Sequence, residues 1–191
     1  MSALPIPTLA GERVRLRGIE ACDAGALYAL HSDPRVMRYW SFPAWTRHEQ
    51  AVEHLARVAC ERELMEFYPW LATLPGGEPI GTCSLFGIHR EHARGVIGYA
   101  LMPGWWGRGL ASEMLALALG FAFRTLGLER IEADIDPNNS ASCRLVERAG
   151  FVREGTLRER WRVGGGVQDT ALYGLLRREW EAVPRPAAMA G

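Results

Sequence analysis

The sequence predicts an α/β (α+β) fold in which helices cover both faces of a mixed central sheet. Two features of the chain carry this prediction. Two β-like runs flank the turn Pro75-Gly76-Gly77-Glu78 and predict an antiparallel hairpin in mid-chain. After the hairpin, strand-like and helix-like segments alternate before two final strands, which indicates β-α-β crossovers. The predicted order, β-α-α-β-β-β-α-β-α-β-β, is not that of a regular doubly wound sheet.

The composition is that of an ordinary globular protein. The 191 residues carry a formal net charge of +0 at pH 7, and 48% of them are hydrophobic. This balance favours neither nucleic acid nor a membrane surface as a partner. We expect a single domain over residues 8–180, followed by a disordered tail at 181–191. No apolar run reaches the roughly 18 residues that span a bilayer, and the N-terminus lacks the pattern of a signal peptide.

Residue types that carry metal or covalent chemistry are sparse. All 22 basic residues are arginine, so the chain has no lysine for Schiff-base chemistry. The four cysteines are widely spaced and form no C-x-x-C pair, which predicts reduced thiols and no metal site: Cys22, Cys60, Cys83 and Cys143. We therefore expect a cytoplasmic protein.

The first half of the chain predicts one strand and two helices before the hairpin. Apolar residues alternate with arginines over residues 14–19, as in a strand. Residues 21–32 follow a helical pattern that an Asp-Pro pair ends. Thr46 and Glu49 have the spacing of a capping box and predict a helix from 46 to about 66.

The remaining segments continue the predicted order. The hairpin strands are predicted at 67–74 and 79–88, and a third strand at 95–101. A helix at 110–126 and a strand at 130–135 follow. After the 136–139 turn come a helix at 140–150, which ends at Gly150, and two last strands at 151–163 and 167–176.

The most informative segment is the glycine-rich turn between the third strand and its helix, Trp105-Trp106-Gly107-Arg108-Gly109-Leu110-Ala111-Ser112. The first N–H groups of a helix have no intrahelical partner, and the helix dipole places about half a positive charge there. Gly107 and Gly109 let the backbone approach a ligand closely. A strand, a turn and a helix in this order predict a di- or polyphosphate site.

Two common phosphate-binding motifs do not fit the turn. A nucleotide-hydrolase loop requires a lysine, and a dinucleotide-binding turn requires a third glycine where this chain has Ser112. A turn whose glycines serve only chain reversal remains the alternative.

Three motifs together resemble the GNAT N-acetyltransferases. They are the turn at 106–111, Asn139-Ser140-Ala141-Ser142, and Leu145-Val146-Glu147-Arg148-Ala149-Gly150-Phe151. The resemblance covers about residues 8–180. Trp106 stands where the family signature has Gln or Arg, and this residue favours the branch of ribosomal-protein N-terminal (alanine/serine) acetyltransferases. The resemblance implies a largely antiparallel sheet of about seven strands with a splayed central pair.

The resemblance also implies acetyl-CoA as the acetyl donor. Its pyrophosphate would lie on the amides of Gly107, Arg108, Gly109, Leu110, Ala111 and Ser112, next to Trp106. Its pantetheine arm would enter between the splayed strands and pair with the backbone at Ala100, Leu101 and Met102. Asn139 would hydrogen-bond this arm, and Ser142 is also a candidate cofactor-binding residue. A helix cap is the alternative role for Asn139.

The catalytic residues are less clearly indicated. Many relatives have a tyrosine acid seven residues after the asparagine, where this chain has Val146. We take Ser142 as the candidate substitute acid and Glu132, on a central strand, as the candidate base. His89, His92 and Glu66 are alternative bases, and catalysis by proximity alone is a further alternative.

The aromatic loop before residue 46 is the candidate acceptor site, because the resemblance places it along one wall: Tyr39, Trp40, Phe42 and Trp45. Packing against the sheet is the alternative role for these side chains. The leading hypothesis is acetylation of a protein N-terminal α-amine. A small amine is the first alternative, although a polyamine site needs acids and residues 35–48 contain none. A non-catalytic acyl-CoA sensor is the second, and a homodimer through the late strands is a further expectation of the family.

Overall fold

The computed structural model describes residues 6–64 and 66–183, which form an eight-stranded sheet of order β1-β2-β3-β4-β5-β6-β8-β7. The strands are β1 (Leu9–Ala10), β2 (Arg15–Gly18), β3 (Tyr68–Thr73), β4 (Pro79–His89), β5 (Arg94–Leu101), β6 (Arg130–Ile135), β7 (Val152–Val163) and β8 (Gly166–Leu176). All neighbours are antiparallel except β5 and β6. The prediction of a largely antiparallel sheet is confirmed, and the two-residue edge strand β1 is the addition.

Helices cover both faces of the sheet, as predicted. They are α1 (Ala24–His31), α2 (Pro34–Met37), α3 (Glu49–Leu64), α4 (Leu110–Gly120), α5 (Ser140–Ala149) and α6 (Arg177–Ala182). On one face, Leu27 of α1 and Ala51 of α3 pack with Leu71 of β3. On the other, Met114 of α4 and Val146 of α5 are fully buried in the main core. Among the described residues, no helix has the length and apolarity needed to cross a membrane.

Several predicted boundaries differ from the structure for local reasons. Residues 21–23 form a 3-10 turn before α1. The Asp33 carboxylate accepts the N–H of Arg35 and begins the extra helix α2. Helix α3 begins at Glu49, and the Gln50 side chain, rather than that of Glu49, accepts the N–H of Thr46.

The segment predicted as one helix over 110–126 becomes π-helical at Phe121–Thr125. The predicted disordered tail is wrong at its start, because residues 181–182 end α6. Its residues 184–191 lie outside the described chain.

The central pair of strands separates, as the resemblance implied. Strands β5 and β6 pair only at Arg94↔Arg130, Gly95↔Ile131 and Val96↔Glu132. Beyond Val96, β5 stays paired with β4 to Leu101, while β6 stays paired with β8 to Ile135. The two strands therefore leave a β5–β6 gap at their C-terminal ends.

A buried histidine, His31, and a half-buried one, His54, lie together under the aromatic loop. His31 is 4% exposed, and its ring centroid lies 4.5 Å from that of Trp45 and 6.0 Å from that of His54. Burial lowers the pKa of His31 to about 4, and the neighbouring His54 adds to this effect. Burial also lowers the pKa of His54 to about 4, with a further contribution from Arg57. Both rings are therefore neutral in the folded protein near pH 7.

We predict that stability falls as the pH is lowered from about 6.5 to about 4. Over this window the unfolded chain binds protons that the folded histidines do not, so the free energy of unfolding decreases as the pH falls. His31 alone accounts for about 3 kcal/mol at the lower end. Denaturant titrations of the wild type and His31→Gln at several pH values measure the slope of the free energy of unfolding against pH. The slope should decrease in His31→Gln and stay unchanged in the control His92→Gln, which alters an exposed ring; equal slopes in all three proteins would contradict the prediction.

Candidate active site

The glycine-rich turn has the local geometry of an anion site. Strand β5 ends at Leu101, and a 3-10 turn at Pro103–Trp105 leads into the loop. Gly107 and Gly109 have φ angles of 74° and 76°, a region that L-residues rarely occupy. Gly109 is the N-cap of α4 and supplies no capping side chain. The first-turn N–H groups of α4, at residues 110–112, are therefore left for a ligand.

The tryptophans of the turn hold it in place. The Trp106 indole N–H donates to the Leu101 carbonyl at 2.6 Å, which ties the loop to the end of β5. The Arg108 guanidinium lies 4.9 Å from the centre of the Trp105 ring. Trp106 thus closes the turn through its indole N–H.

Arg13 is a residue of this site that the sequence analysis missed. Its Nη1 donates to the Arg108 carbonyl at 3.0 Å, and its Nε donates to Glu113 Oε2 at 3.0 Å. The Glu113 carboxylate is buried in the first turn of α4 and also accepts the N–H groups of Arg13 and Val14. These contacts span 95 to 100 residues of sequence, so no local pattern predicts them. They place a cation beside the turn.

The backbone of β5 offers polar groups to the gap at alternate residues. The N–H of Met102 donates to Ile80, so Met102 and Ala100 direct their backbone groups towards β4. Tyr99 and Leu101 direct theirs into the gap, where the Leu101 carbonyl already accepts the Trp106 indole. Of the three predicted pairing residues, Leu101 directs its backbone groups into the gap, whereas Ala100 and Met102 direct theirs towards β4. Tyr99, which the sequence analysis did not name, faces the gap as Leu101 does.

Asn139 and Ser142 stand at the start of α5, on the other side of the gap. The Asn139 side-chain oxygen accepts the N–H of Ser142 at 3.2 Å, so the residue is the N-cap of α5. Capping uses only the amide oxygen, and the amide nitrogen makes no hydrogen bond within the described part of the chain. Both side chains line the central cavity. The two roles considered for Asn139, helix cap and donor to a ligand, are therefore compatible.

The gap opens into a cavity of about 560 Å³, the central cavity. Tyr39 and Trp40 of the aromatic loop line it, as the candidate acceptor wall requires. Phe42 and Trp45 do not: they pack in the hydrophobic cluster around Leu27. The loop is thus divided between the cavity and the core.

Glu132 lines the cavity in an ion-pair network. Its carboxylate accepts from Arg130 Nε at 2.8 Å and from Arg94 Nη1 at 3.4 Å. Arg130 also bridges to Glu154, and both carboxylates raise the pKa of Arg130. Two guanidinium partners occupy the lone pairs that a base would use, which favours a structural role for Glu132.

Asp134, two residues further along β6, is free of such pairing. The Thr170 hydroxyl donates to Asp134 Oδ1 at 2.7 Å, and the Trp161 indole N–H donates to the Thr170 hydroxyl at 3.0 Å. Trp161 and Thr170 lie on β7 and β8, so this chain of bonds crosses three strands. It fixes one carboxylate oxygen and leaves the other to the cavity.

Besides Glu154, which is paired with Arg130, two further carboxylates line the cavity, those of Asp136 and Asp169. Strands β7 and β8 lose register between Leu157 and Trp161, where Glu159 adopts a φ of 53° and donates its N–H to Asp169 at 2.8 Å. With Asp134 these residues form the carboxylate trio, none of which is in an ion pair within residues 6–64 and 66–183. Sequence inspection overlooked it because its members lie on two strands and a turn.

The other candidate bases stand elsewhere. His89 and His92 are exposed at the β4–β5 turn. The Glu66 carboxylate accepts from Tyr68 and Arg90, and these partners lower its pKa although burial opposes them. No described residues form a cluster of His, Cys, Asp and Glu suited to a metal ion.

Comparisons with known proteins assign the fold and its chemistry. The family model "Acetyltransferase (GNAT) domain" matches residues 13–152. The chain is 34% identical over 176 residues, 91% of its length, to an uncharacterized N-acetyltransferase p20 of Bacillus licheniformis, and covers 98% of that protein. It is 26% identical to the spermidine N(1)-acetyltransferase of Escherichia coli K12, and the match covers 88% of this chain and 89% of that protein. The structure of a GNAT-family acetyltransferase from Bacillus anthracis superposes with a TM-score of 0.80 at 25% identity, covering 91% of this chain and all of the other.

We predict that Gly109→Asp weakens binding of acetyl-CoA about tenfold or more, because the new carboxylate would stand beside the phosphates. Gly127→Asp is the matched control. Gly127 has a φ of 66° with open space around it and lies outside the turn, so it adds the same charge at the same type of backbone position. Calorimetric titration with acetyl-CoA measures both affinities. Equal affinities of the two variants would contradict the prediction that the phosphates bind at this turn.

Proposed function

Because the chain belongs to the GNAT family and is an N-acetyltransferase that uses acetyl-CoA, we propose that its acceptor is a small amine with more than one positive charge. The carboxylate trio is the observation that carries this proposal. Asp134, Asp136 and Asp169 face one cavity and are not neutralised by an arginine within the described residues. Among the described residues, Arg160 is the cation of this wall without a carboxylate partner, and it lies over the Trp161 ring.

The acidic wall makes a polyamine a suitable acceptor. A polyamine site needs acids, and the aromatic loop at 35–48 contains none. The acids instead come from β6, the turn after it, and β8. A polyamine needs carboxylates at several points along its length, whereas a single α-amine needs one. The similarity to a spermidine N(1)-acetyltransferase agrees with this acceptor class.

For the donor, we propose that the pyrophosphate lies on the N–H groups of residues 107–112 beside Arg13. The first-turn amides of α4, the two positive-φ glycines and the nearby guanidinium fit a doubly charged anion. The pantetheine arm then occupies the β5–β6 gap, where the Tyr99 backbone and the Asn139 amide nitrogen offer hydrogen bonds. The acetyl group supplies the electrophile at the inner end of this gap.

For the acceptor, we assign the binding of the reacting amine to Asp134. Its carboxylate is held by Thr170 and has a free oxygen facing the cavity. Attack on a thioester requires a neutral amine, so the group that binds the ammonium is also placed to take its proton. The N–H of Tyr99, which faces the gap, is the proposed donor to the carbonyl oxygen.

A protein N-terminal α-amine is the second candidate acceptor. Tyr39, Trp40 and Trp161 line the same cavity, and an apolar first side chain of a peptide would pack on such rings. We place the reaction in the cytoplasm, a proposal supported by four free cysteines.

We predict that spermidine is acetylated with a higher kcat/KM than a monoamine of similar length or peptides that begin with Ala or Ser. Release of free thiol from acetyl-CoA, followed colorimetrically, measures each acceptor. Better turnover of the peptides would favour the α-amine. Binding of acetyl-CoA without turnover of any acceptor would favour a sensor.

We predict that Asp134→Asn raises the KM for spermidine about tenfold or more, because a charge-assisted contact to the amine is lost. The KM for acetyl-CoA should stay within about twofold. Glu53→Gln is the control, since Glu53 is exposed on α3 and does not line the cavity. Equal changes in both KM values, or in both variants, would refute the assignment of Asp134.

A further inference from the structure

The side chain of Tyr99 ends in a buried hydroxyl at the gap. The residue lines the central cavity from β5. Its hydroxyl oxygen is shielded from solvent and has no hydrogen-bond partner of good geometry among the described residues. Leaving a buried hydroxyl unsatisfied is costly, and folded proteins rarely do so without a reason. This group is therefore a candidate donor to a ligand atom.

The neighbours of the hydroxyl place it at the reactive end of the gap. Burial raises the pKa of Tyr99, and a contact of its hydroxyl with Ser142 of α5 partly opposes this effect. The nearby titratable groups are the thiols of Cys143 and Cys83. Ser142 also lines the cavity and follows Asn139. The hydroxyl thus faces the helix that carries the residues proposed to hold the donor arm.

The position at which relatives carry a tyrosine acid cannot supply a donor here. Val146 occupies it and is 0% exposed in the core. Tyr173, on the neighbouring strand β8, also reaches α5, but its hydroxyl donates to Glu147 at 3.0 Å. Of Tyr99 and Tyr173, Tyr99 is the one whose hydroxyl has no hydrogen-bond partner of good geometry among the described residues.

We propose that the Tyr99 hydroxyl donates a hydrogen bond to the thioester sulfur of acetyl-CoA and to the thiolate that leaves. The proposal rests on the donor lying in the β5–β6 gap. In the step, the amine nitrogen forms a bond to the acetyl carbon, the carbon–sulfur bond breaks, and its electron pair goes to sulfur. The amine proton passes to Asp134. The thiolate keeps its hydrogen bond from the Tyr99 O–H until it is released and solvent protonates it.

The relative acidity of the Tyr99 phenol and the CoA thiol decides whether Tyr99 only donates a hydrogen bond or transfers its proton fully. Burial raises the pKa of Tyr99 to about 12, whereas an ordinary thiol has a pKa of about 8.5. A phenol that is a weaker acid than the thiol keeps its proton. Tyr99 therefore stabilises the leaving group as a donor, and it does not need to be reprotonated between turnovers.

Binding of CoA and desulfo-CoA at pH 7 and pH 9.5 tests the proposal without an acceptor. The thiol of CoA is mostly ionised at pH 9.5, so the wild type should prefer CoA over desulfo-CoA more strongly there, by about 10- to 100-fold. Tyr99→Phe should lose this gain and bind desulfo-CoA as the wild type does. Tyr68→Phe is the matched control, because it removes a hydroxyl that donates to Glu66 outside the cavity.

Thermal unfolding separates this role from a structural one. Tyr99→Phe removes an unsatisfied hydroxyl, so its Tm should equal or exceed that of the wild type, whereas Tyr68→Phe loses a hydrogen bond. A lower Tm for Tyr99→Phe, an unchanged gain with pH, or equal losses for both ligands would overturn the proposal. If the wild type bound neither ligand, the donor site itself would be wrong. Failure of every amine in the acceptor panel with an intact CoA result would overturn only the acceptor class.

Discussion

The separation of β5 from β6 after three residue pairs is the constraint on which the site depends. Each strand remains paired with its outer neighbour, so the sheet stays continuous at one end and opens at the other. The open end exposes backbone donors of β5, faces the N-terminus of α5 and lies beside the turn before α4. A fully paired sheet would consume these donors and close the cavity.

Local patterns allowed most of the fold and the donor turn to be predicted. The hairpin turn, the strand at 130–135 and the helix up to Gly150 have short-range signals that the structure matches. The conformation of the glycine-rich turn, with its positive φ angles at Gly107 and Gly109, likewise agrees with a pattern of eight residues. Edge strand β1 has only two residues, too short for a periodic pattern, and α2 begins at an Asp-Pro pair that also signals a helix end.

The cavity wall could not be predicted in the same way, because its members meet only through the sheet register. Asp134 is held in position by Thr170, which lies 36 residues away in the sequence. Thr170 is in turn bonded by Trp161, and these two residues are 9 positions apart. Arg13 reaches the turn from the N-terminal segment. Periodicity did identify Glu132 as a charged residue inside the sheet. Its two arginine partners could not be predicted, because Arg94 comes from the neighbouring strand β5 and Arg130 lies beside it on β6.

The arginine-only composition has a chemical consequence at this cavity. Arg94, Arg130 and Arg160 are the cations on or beside its walls, and a guanidinium stays protonated at any working pH. Such groups have no free nitrogen lone pair with which to attack a thioester. The cations beside the proposed donor site are therefore inert towards a thioester, and these side chains do not compete with the acceptor for the acetyl group.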